Sequence, residues 1–365
     1  MSNTPLLAPD AHLPRMPERK DWGIGVVGAG FIVRDCHLVA YADAGFPVVG
    51  ITSRTRSTAE EVARSRGVPR VFDSVEDLLD GAEVGIVDLA VPPQDQPEMI
   101  RRVVAHPKKP RGILAQKPLA MTIEEARELV SLCESAGIVL QVNQNMRYDH
   151  SVRALKALID GGALGDPVLA TIDMRAIPHW MPWAEGLRSL STFIMSIHHL
   201  DTMRYWLGHP SRVLASTRPD PRTKFPHTDG INLYILEYDN GARGCGWDDV
   251  WTGPAREGGG AEIGIRWRFE GTRGTAIGTI GWPGWPDRMP STIDYSTVDD
   301  GQWHRPRWPE AWFPDAFAGP MAGLMIALET GTEPDISGRE NLGTVALCEA
   351  VLTAAAEHRA IAPAV

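Results

Sequence analysis

The 365-residue sequence has no apolar run of the roughly 18–20 residues that a membrane-spanning helix needs. Residues 1–20 are rich in proline and lack the apolar core of a secretory signal peptide. These absences predict a chain that is neither embedded in a membrane nor secreted. We expect residues 1–20 to form a mobile tail or an arm that reaches a neighbouring subunit.

Positive charge and closely spaced cysteines are also scarce. The formal net charge is −10 at pH 7, which argues against a surface that binds nucleic-acid phosphates. The four cysteines form no CxxC pair and show no metal-ligand spacing with histidine. We therefore expect reduced, buried thiols in a cytoplasmic protein, and no metal centre.

A glycine-rich turn near the N-terminus is the first positive feature. An apolar strand, Trp22 to Val27, leads into Gly28-Ala29-Gly30-Phe31-Ile32-Val33, and an amphipathic segment follows. The first glycine permits a tight turn and the second lets backbone N–H groups approach a pyrophosphate. We expect Gly28, Ala29, Gly30, Phe31 and Ile32 to bind a dinucleotide, although Val33 fills the usual third glycine position.

The end of the second strand, Val48 to Thr52, bears on which dinucleotide binds. Sites for NAD usually place a carboxylate there, but this chain has Ser53 and Arg54. A hydroxyl and a guanidinium suit a 2′-phosphate, so NADP is favoured over NAD. The alternative is that Arg54 stacks on adenine and either cofactor binds.

A lysine–proline pair follows another buried strand. In the segment Gly112 to Ala120, the apolar residues end at Gln116-Lys117-Pro118. Proline cannot continue a central strand, so the chain turns where the ammonium group is presented. A lysine at the carboxyl end of a strand in an open α/β sheet points into the ligand crevice. The plainer interpretation of Lys117-Pro118 is a turn at the protein surface. Pro92 ends a further strand at the same edge of the sheet.

The two halves of the chain predict different sheets. Six strands alternate with helices in the first half, which predicts an α/β fold with a doubly wound parallel sheet. In the second half, Asp239-Asn240-Gly241 predicts a hairpin, and alternating residues from Glu262 to Phe269 predict a half-buried antiparallel strand. We expect a tail at 1–20, a first domain at 21–148 and a second at 149–365, whose last helix packs back.

These features together resemble the Gfo/Idh/MocA family of sugar and cyclitol dehydrogenases. Besides the glycine loop, the matching motifs are Lys117-Pro118, Asn145-Met146-Arg147-Tyr148, His198-His199-Leu200-Asp201 and Tyr205-Trp206-Leu207-Gly208. The resemblance implies a Rossmann domain joined to an α/β domain with a large, open, mainly antiparallel sheet. It also implies nicotinamide bound between the domains, and a homodimer or homotetramer paired through the sheets.

Two positions depart from the family pattern. The family commonly has Glu before Lys-Pro, and this chain has Gln116. It often has Asp four residues before the histidine, where this chain has Ile194. Either Asp248 or Asp249 replaces that acid, or catalysis is weak or absent.

The resemblance assigns the chemistry to Lys117 and His198. A histidine with a pKa near neutrality suits the base that takes a hydroxyl proton, and Lys117 suits developing alkoxide charge. Asp201 shares a helix face with His198 and either orients its ring or pairs locally, whereas His199 is expected to be structural. In relatives the Lys-Pro bond is often cis. We expect a cis bond here, with the Lys117 ammonium within direct or one-water reach of His198.

Aromatic clusters suggest the substrate class. Residues 177–183 and 247–251 combine indole rings with hydrogen-bonding groups, as sugar sites do. For most tryptophans, packing in the core or an interface is the simpler interpretation. The predicted cofactor contacts further along the chain are Ser53, Arg54, Pro92, Gln116, Lys117 and Asn145. The predicted substrate contacts are Lys117, Arg147, His179, Trp180, Trp183, His198, Asp201 and Asp248.

The sequence thus predicts an NAD(P)-dependent oxidoreductase that acts on a secondary hydroxyl or ketone of a sugar, glycoside or cyclitol. The alternatives are a non-catalytic, nucleotide-linked sugar sensor and a reductase of a keto-sugar.

Overall fold

The first half of the chain alternates short apolar strands with helices, and the strands form a six-stranded parallel sheet. We describe a computed structural model that covers residues 7–176, 182–250, 258–260, 262–284 and 286–364. The strands are β1 (Ile24–Val27), β2 (Val48–Thr52), β3 (Val71–Phe72), β4 (Ile86–Leu89), β5 (Gly112–Gln116) and β6 (Val139–Asn143). Their order is β3-β2-β1-β4-β5-β6, the doubly wound order of dinucleotide-binding folds. The predicted α/β sheet is confirmed.

Helices connect these strands in the expected rhythm. They are α1 (Leu38–Ala44), α2 (Arg56–Arg66), α3 (Val75–Gly81), α4 (Gln96–Ala105) and α5 (Ile123–Ser135). A π-helical turn, Val33–His37, precedes α1. At the start of α5, the Thr122 side chain accepts a hydrogen bond from the Glu125 backbone, which satisfies one of the unpaired N–H groups of the first turn.

The second sheet has eight strands. They are β7 (Pro167–Arg175), β8 (Arg212–Arg218), β9 (Ile231–Glu237), β10 (Arg243–Asp249), β11 (Gly264–Gly271), β12 (Gly274–Ile280), β13 (Thr292–Thr297) and β14 (Trp303–His304). Their order is β14-β13-β12-β11-β7-β10-β9-β8. Only the β7–β10 pairing is parallel among these neighbours. The hairpin predicted at residues 239–241 joins β9 to β10.

Helices α6 (His150–Asp160) and α7 (Ile197–Leu207) belong with this sheet. In β11, Ile265, Trp267 and Phe269 are buried while the arginines between them are exposed, which confirms the predicted alternation over these residues. Ile263, predicted to share their face, precedes the strand and is 38% exposed. The indole N–H of Trp267 donates to Ser151 Oγ of α6 at 3.1 Å. One face of the sheet is therefore covered.

Two further helices complete the chain, α8 (Ala318–Thr330) and α9 (Gly338–Glu357). α8 places apolar residues in the core of the parallel sheet, where a side chain at Gly112 would lie 3.1 Å from Leu324. Burying an apolar side chain such as that of Leu324 stabilises the fold by roughly 1.5–3 kcal/mol. No helix in the described ranges combines the length and apolar character needed to span a bilayer.

The chain divides into two compact units. The parallel-sheet unit contains Pro14–Asn145 and Pro314–Val345, and the large-sheet unit contains residues 7–13, the described part of Met146–Phe313, and residues 346–364. The division expected from the sequence, 21–148 and 149–365, differs because residues 314–345 return to the first unit. The apolar pattern of a helix shows that one face is buried, but not which sheet buries it.

Candidate active site

The glycine loop follows β1 at the carboxyl edge of the parallel sheet. Gly28 has φ of 120°, and a Cβ there would overlap the carbonyl oxygen of Ala90. At Gly30, by contrast, a Cβ would meet no atom within 4 Å, and its carbonyl accepts the first helical hydrogen bond from Arg34 at 3.0 Å. Gly28 is thus required by the fold, while Gly30 leaves open space that fits a pyrophosphate.

Val33 occupies the third position of the glycine pattern. Its side chain is fully buried in the hydrophobic core that includes β1 and β2. Val33 is also the first residue of the π-helical turn. This position contributes apolar packing rather than a close approach of backbone to ligand.

The strand end that follows β2 carries Ser53 and Arg54. The Ser53 hydroxyl donates to the Thr55 carbonyl at 2.8 Å. Arg54 is 85% exposed, with its guanidinium 3.7 Å from the Asp95 carboxylate. The neighbouring Arg56 is bound by Glu60 at 2.8 Å and by Asp73. Arg54 is therefore the more accessible cation for a phosphate at this edge.

The Lys117-Pro118 bond is cis, which confirms that prediction. Gln96, a buried residue of α4, holds the turn around it. Its Nε2 donates to the carbonyls of Gln116 (2.7 Å), Pro118 (2.8 Å) and Leu119 (3.2 Å), and its Oε1 accepts from the Gln116 N–H at 2.8 Å. Gln96 was not predicted, because a single glutamine on a helix forms no recognisable pattern.

A second set of polar groups meets the loop at Gln116. Gln116 Oε1 accepts from the Lys117 N–H at 3.0 Å, and Gln116 Nε2 lies 3.4 Å from His37 Nε2. The same ring nitrogen lies 3.0 Å from Asn143 Nδ2, and His37 Nδ1 lies 2.7 Å from Asp88. No motif in the sequence points to His37, Asp88 or Asn143.

The predicted cofactor residues thus share one edge of the parallel-sheet unit. Gly28, Ser53, Pro92, Lys117 and Asn145 come directly after or shortly after the ends of β1, β2, β4, β5 and β6. The carboxyl ends of parallel strands form the ligand edge of such sheets.

In the large-sheet unit, His198 lies on α7 and is almost fully buried. Trp312 stands edge-on to its ring, with centroids 5.3 Å apart and an interplanar angle of 89°. Trp312 was missed in the sequence because it lies far from every motif. It adds an indole beside the histidine.

Arg147 and Asp201 form a buried ion pair. The guanidinium donates to both carboxylate oxygens, at 2.6 and 2.7 Å, and Arg204 lies 3.7 Å from the same group. The local pairing considered for Asp201 is observed, and a role in orienting the His198 ring stays a prediction. Removing Asp201 would take away the carboxylate that both buried guanidinium groups share.

His199 pairs with Asp248 rather than facing solvent. Their side chains are fully buried, and His199 Nδ1 lies 2.6 Å from Asp248 Oδ1. Asp248 was expected to contact substrate, but its carboxylate lies against His199, which was expected to be structural. Ile194, at the position where the family often has Asp, lies in a π-helical turn, Thr192–Ser196, before α7.

The described residues of the two aromatic clusters, 177–183 and 247–251, lie in different elements. Trp183 is half-buried in a short 3₁₀ turn, Pro182–Gly186. Trp247 alternates with Asp248 along β10, so the two lie on opposite faces of the sheet, and Arg175 stacks over the Trp247 ring at 4.2 Å. His179, Trp180 and Trp251 fall outside the described residues.

Two adjacent buried groups at the start of α6 have shifted pKa values. Burial raises the pKa of Asp149 to about 6, although hydrogen bonds from Ser291 and Ser151 favour its charged form. Burial lowers the pKa of His150 to about 3, and the nearby His12 and Arg153 add repulsion. Within the described ranges, no group of three His, Cys, Asp or Glu side chains is arranged to hold a metal ion.

Comparison with known families matches both halves of the chain. Residues 22–144 match the Gfo/Idh/MocA oxidoreductase family with an NAD-binding Rossmann fold. Residues 152–277 match the Gfo/Idh/MocA C-terminal domain.

Individual relatives are similar over most of their length. The D-apiose dehydrogenase of Rhizobium rhizogenes is 28% identical over 352 residues, which covers 92% of this chain and 96% of the relative. The 1,5-anhydro-D-fructose reductase of Ensifer adhaerens is 26% identical over 343 residues, covering 92% and 97%. An oxidoreductase from Agrobacterium radiobacter, solved with NAD⁺, L-tartaric acid and magnesium, shares the fold. Its TM-score is 0.79 at 22% identity, with 94% of this chain and 98% of that chain covered.

Proposed function

This chain belongs to the Gfo/Idh/MocA family of oxidoreductases with an NAD-binding Rossmann domain, and we propose that its substrate is a sugar, glycoside or cyclitol. The reaction interconverts a secondary hydroxyl and a ketone. The observation that carries the proposal is the Lys117 turn, held by Gln96 at the sheet edge that also bears the glycine loop. Relatives named as a D-apiose dehydrogenase and a 1,5-anhydro-D-fructose reductase support a carbohydrate-like substrate.

The glycine loop and the strand ends hold the dinucleotide in this proposal. The open space at Gly30 receives the pyrophosphate, and Pro92, Gln116 and Asn145 line the nicotinamide side. When bound, the nicotinamide supplies the hydride acceptor or donor. The exposed Arg54, with the Ser53 hydroxyl beside it in sequence, favours NADP over NAD.

Lys117 and His198 divide the proton chemistry. His198 takes the hydroxyl proton, because a neutral imidazole is the natural base near neutral pH. Lys117 stabilises the negative charge that develops on the oxygen. Their pairing on one hydroxyl remains a prediction of the sequence.

Apolar and polar groups have separate roles in substrate binding. Trp183, with His179 and Trp180 as expected from the sequence, offers stacking surfaces and hydrogen bonds to a polyol. Trp312 is itself buried and stands edge-to-face with His198, so we assign it to supporting the imidazole ring. We assign Arg147, Asp201 and Asp248 to support rather than direct contact, since Arg147 and Asp201 form an ion pair and Asp248 lies against the buried His199.

Self-association is part of the proposal. Leu214, Leu233 and Ile235 are 40%, 47% and 46% exposed on neighbouring strands of the large sheet. Apolar side chains grouped in this way favour pairing with a second copy, as a homodimer or homotetramer. Buried thiols such as Cys36 and Cys133 suit a reducing, cytoplasmic setting.

A cofactor-reduction screen tests the proposed activity. The absorbance of reduced nicotinamide is followed with NAD and NADP against a panel of sugars, glycosides and inositols. Turnover with at least one polyol is expected. Tight binding of reduced cofactor without turnover, in either direction and across the panel, would contradict the proposal and favour a sensor.

A further inference from the structure

A buried polar network in the parallel-sheet unit adjoins the loop that carries Lys117. Its centre is His37, with Asp88 on one ring nitrogen, at 2.7 Å, and two side-chain amides near the other. Asn143 Nδ2 lies 3.0 Å and Gln116 Nε2 3.4 Å from His37 Nε2. His37, Asp88 and Asn143 are buried, so donors must face acceptors throughout.

The proton positions in this network follow from one obligate donor. The Lys117 backbone N–H can only donate, and it lies 3.0 Å from Gln116 Oε1. The Gln116 amide must then turn its N–H toward His37 Nε2, which requires a lone pair on that nitrogen. The ring proton therefore sits on Nδ1 and is donated to Asp88. Tyr41 donates its hydroxyl proton to the same carboxylate oxygen at 2.9 Å.

We propose that His37 and Asp88 are positioning residues for Lys117, an inference that rests on the proposed oxidoreductase function. Neutral His37, with its tautomer fixed by Asp88, holds the Gln116 amide in the orientation that accepts from the Lys117 backbone. Gln96 holds the carbonyls of the same turn. The lysine therefore leaves the turn in one geometry, and small misplacements of such groups are costly in rate.

Glutamine at position 116 is matched to this tautomer. A glutamate there would offer only acceptors, so His37 would need protons on both nitrogens to face Asp88 and residue 116 together. Residue 116 thus sets the protonation state of His37, and His37 in turn orients residue 116. A methionine at 116 would fill similar space without either interaction.

The first measurement is the tautomer of His37, which does not depend on activity. Two-bond ¹H–¹⁵N spectra of ¹⁵N-histidine-labelled protein report it, and loss of the signal in His37→Gln assigns it. The proton is expected on Nδ1 in the wild type and on both nitrogens in Gln116→Glu. A wild-type proton on Nε2, or an unchanged ring in Gln116→Glu, would overturn the inference.

Kinetics then test the coupling. Asp88→Leu is expected to lower kcat by ~10–100-fold with little change in cofactor affinity. Gln116→Met is expected to lower kcat to a similar extent, and Gln116→Glu, which keeps both contacts by protonating His37, is expected to lower it less than Gln116→Met does. Because Asp88→Leu and Gln116→Met act through one turn, the double variant should lose no more than the worse single variant. Losses that multiply would contradict a shared positioning role.

The matched control is Gln141→Met. Gln141 is a buried glutamine of β6 whose amide donates to the Pro320 carbonyl, away from the Lys117 turn. The Gln141→Met variant should have a lower melting temperature than the wild type but the same kcat and the same His37 tautomer. A wild type that turns over no polyol defeats the proposed function, while the His37 spectrum still decides whether the network is correct.

Discussion

At the scale of single residues, Lys117 is held through its backbone by uncharged amides. Gln96 and Gln116 together bind three carbonyls and two N–H groups of the turn. Each such neutral hydrogen bond contributes about 0.5–1.5 kcal/mol, but unmet buried groups cost more. The backbone of the turn is thus fixed by neutral side chains.

Lys117→Ala should lower kcat at least ~100-fold, the usual scale for a lost acid–base or charge-stabilising group. Lys117→Arg keeps the positive charge but cannot release a proton, so it should recover only part of the rate. Cofactor affinity, measured by quenching of protein fluorescence, should change little in both. A Lys117→Ala enzyme with near wild-type kcat would remove this lysine from the chemistry.

The adjacent pair Asp149 and His150 makes a second prediction, about acid stability. The pKa of His150 is lowered from 6.5 to about 3 in the folded chain. As pH falls below 6.5, this histidine is protonated in the unfolded chain but not in the folded chain, which lowers the free energy of unfolding. The pKa of Asp149 is raised from 3.8 to about 6, so in the folded chain it takes up its proton first. Between pH ~4 and ~6 the two slopes, each about 1.4 kcal/mol per pH unit, oppose one another.

Substituting one residue of the pair should reveal the pH dependence of stability that the other contributes. Relative to the wild type, His150→Gln should gain stability as pH falls through this window, and Asp149→Asn should lose it. Urea unfolding at several pH values measures both slopes. Parallel curves for the wild type and the two variants would mean that the buried pair does not titrate as described.

Short motifs at the residue scale predicted part of the site and missed the rest. The glycine loop and the turn at Lys117 were predicted because their signals are contiguous in sequence, and the cis bond was predicted because the family resemblance implied it. Gln96, Asp88 and Trp312 were not, because each acts through a partner far away in the chain. Trp247 and Asp248 were grouped by adjacency, although alternation along a strand places neighbours on opposite faces.

At the scale of elements, the glycine loop offers a matched pair of substitutions. Gly28→Ala forces a side chain onto the Ala90 carbonyl at a positive φ, so it should lower the melting temperature sharply. Gly30→Ala meets open space, so it should fold normally yet weaken cofactor binding at least ~10-fold by obstructing the pyrophosphate. Thermal melts and cofactor titrations separate the two effects. Equal loss of stability in both variants would contradict this division of roles.

The end of β2 should determine cofactor choice. Ser53→Asp combined with Arg54→Ala adds a ribose acceptor and removes the exposed phosphate partner, so preference should move from NADP toward NAD. The ratio of kcat/KM for the two cofactors is the measurement, and Arg56→Ala serves as the control because Glu60 already binds that guanidinium. Tighter binding of NAD than NADP by the wild type would overturn the interpretation of this strand end.

At the scale of the whole molecule, the two sheets were predictable and the membership of the C-terminal helices was not. Periodicity predicted a doubly wound sheet of six parallel strands and an antiparallel second half, and both sheets are present. α8 returns to the parallel sheet through Met321, Leu324 and Met325, which are apolar in a helix that is apolar on most sides. Such a helix has no polar face to indicate its direction of packing.

The exposed apolar group on the large sheet carries the last prediction, about self-association. Leu233 and Ile235 point outward from β9, and Leu214 lies opposite Ile235 on β8. If copies pair through this face, Leu233→Lys with Ile235→Lys places like charges in the interface and should shift the protein to a smaller species. Size-exclusion chromatography with light scattering gives the mass. Val298→Lys, which charges an exposed apolar residue on the turn after β13, should leave the assembly unchanged. An unaltered mass in the double variant would mean that this face is not where copies meet.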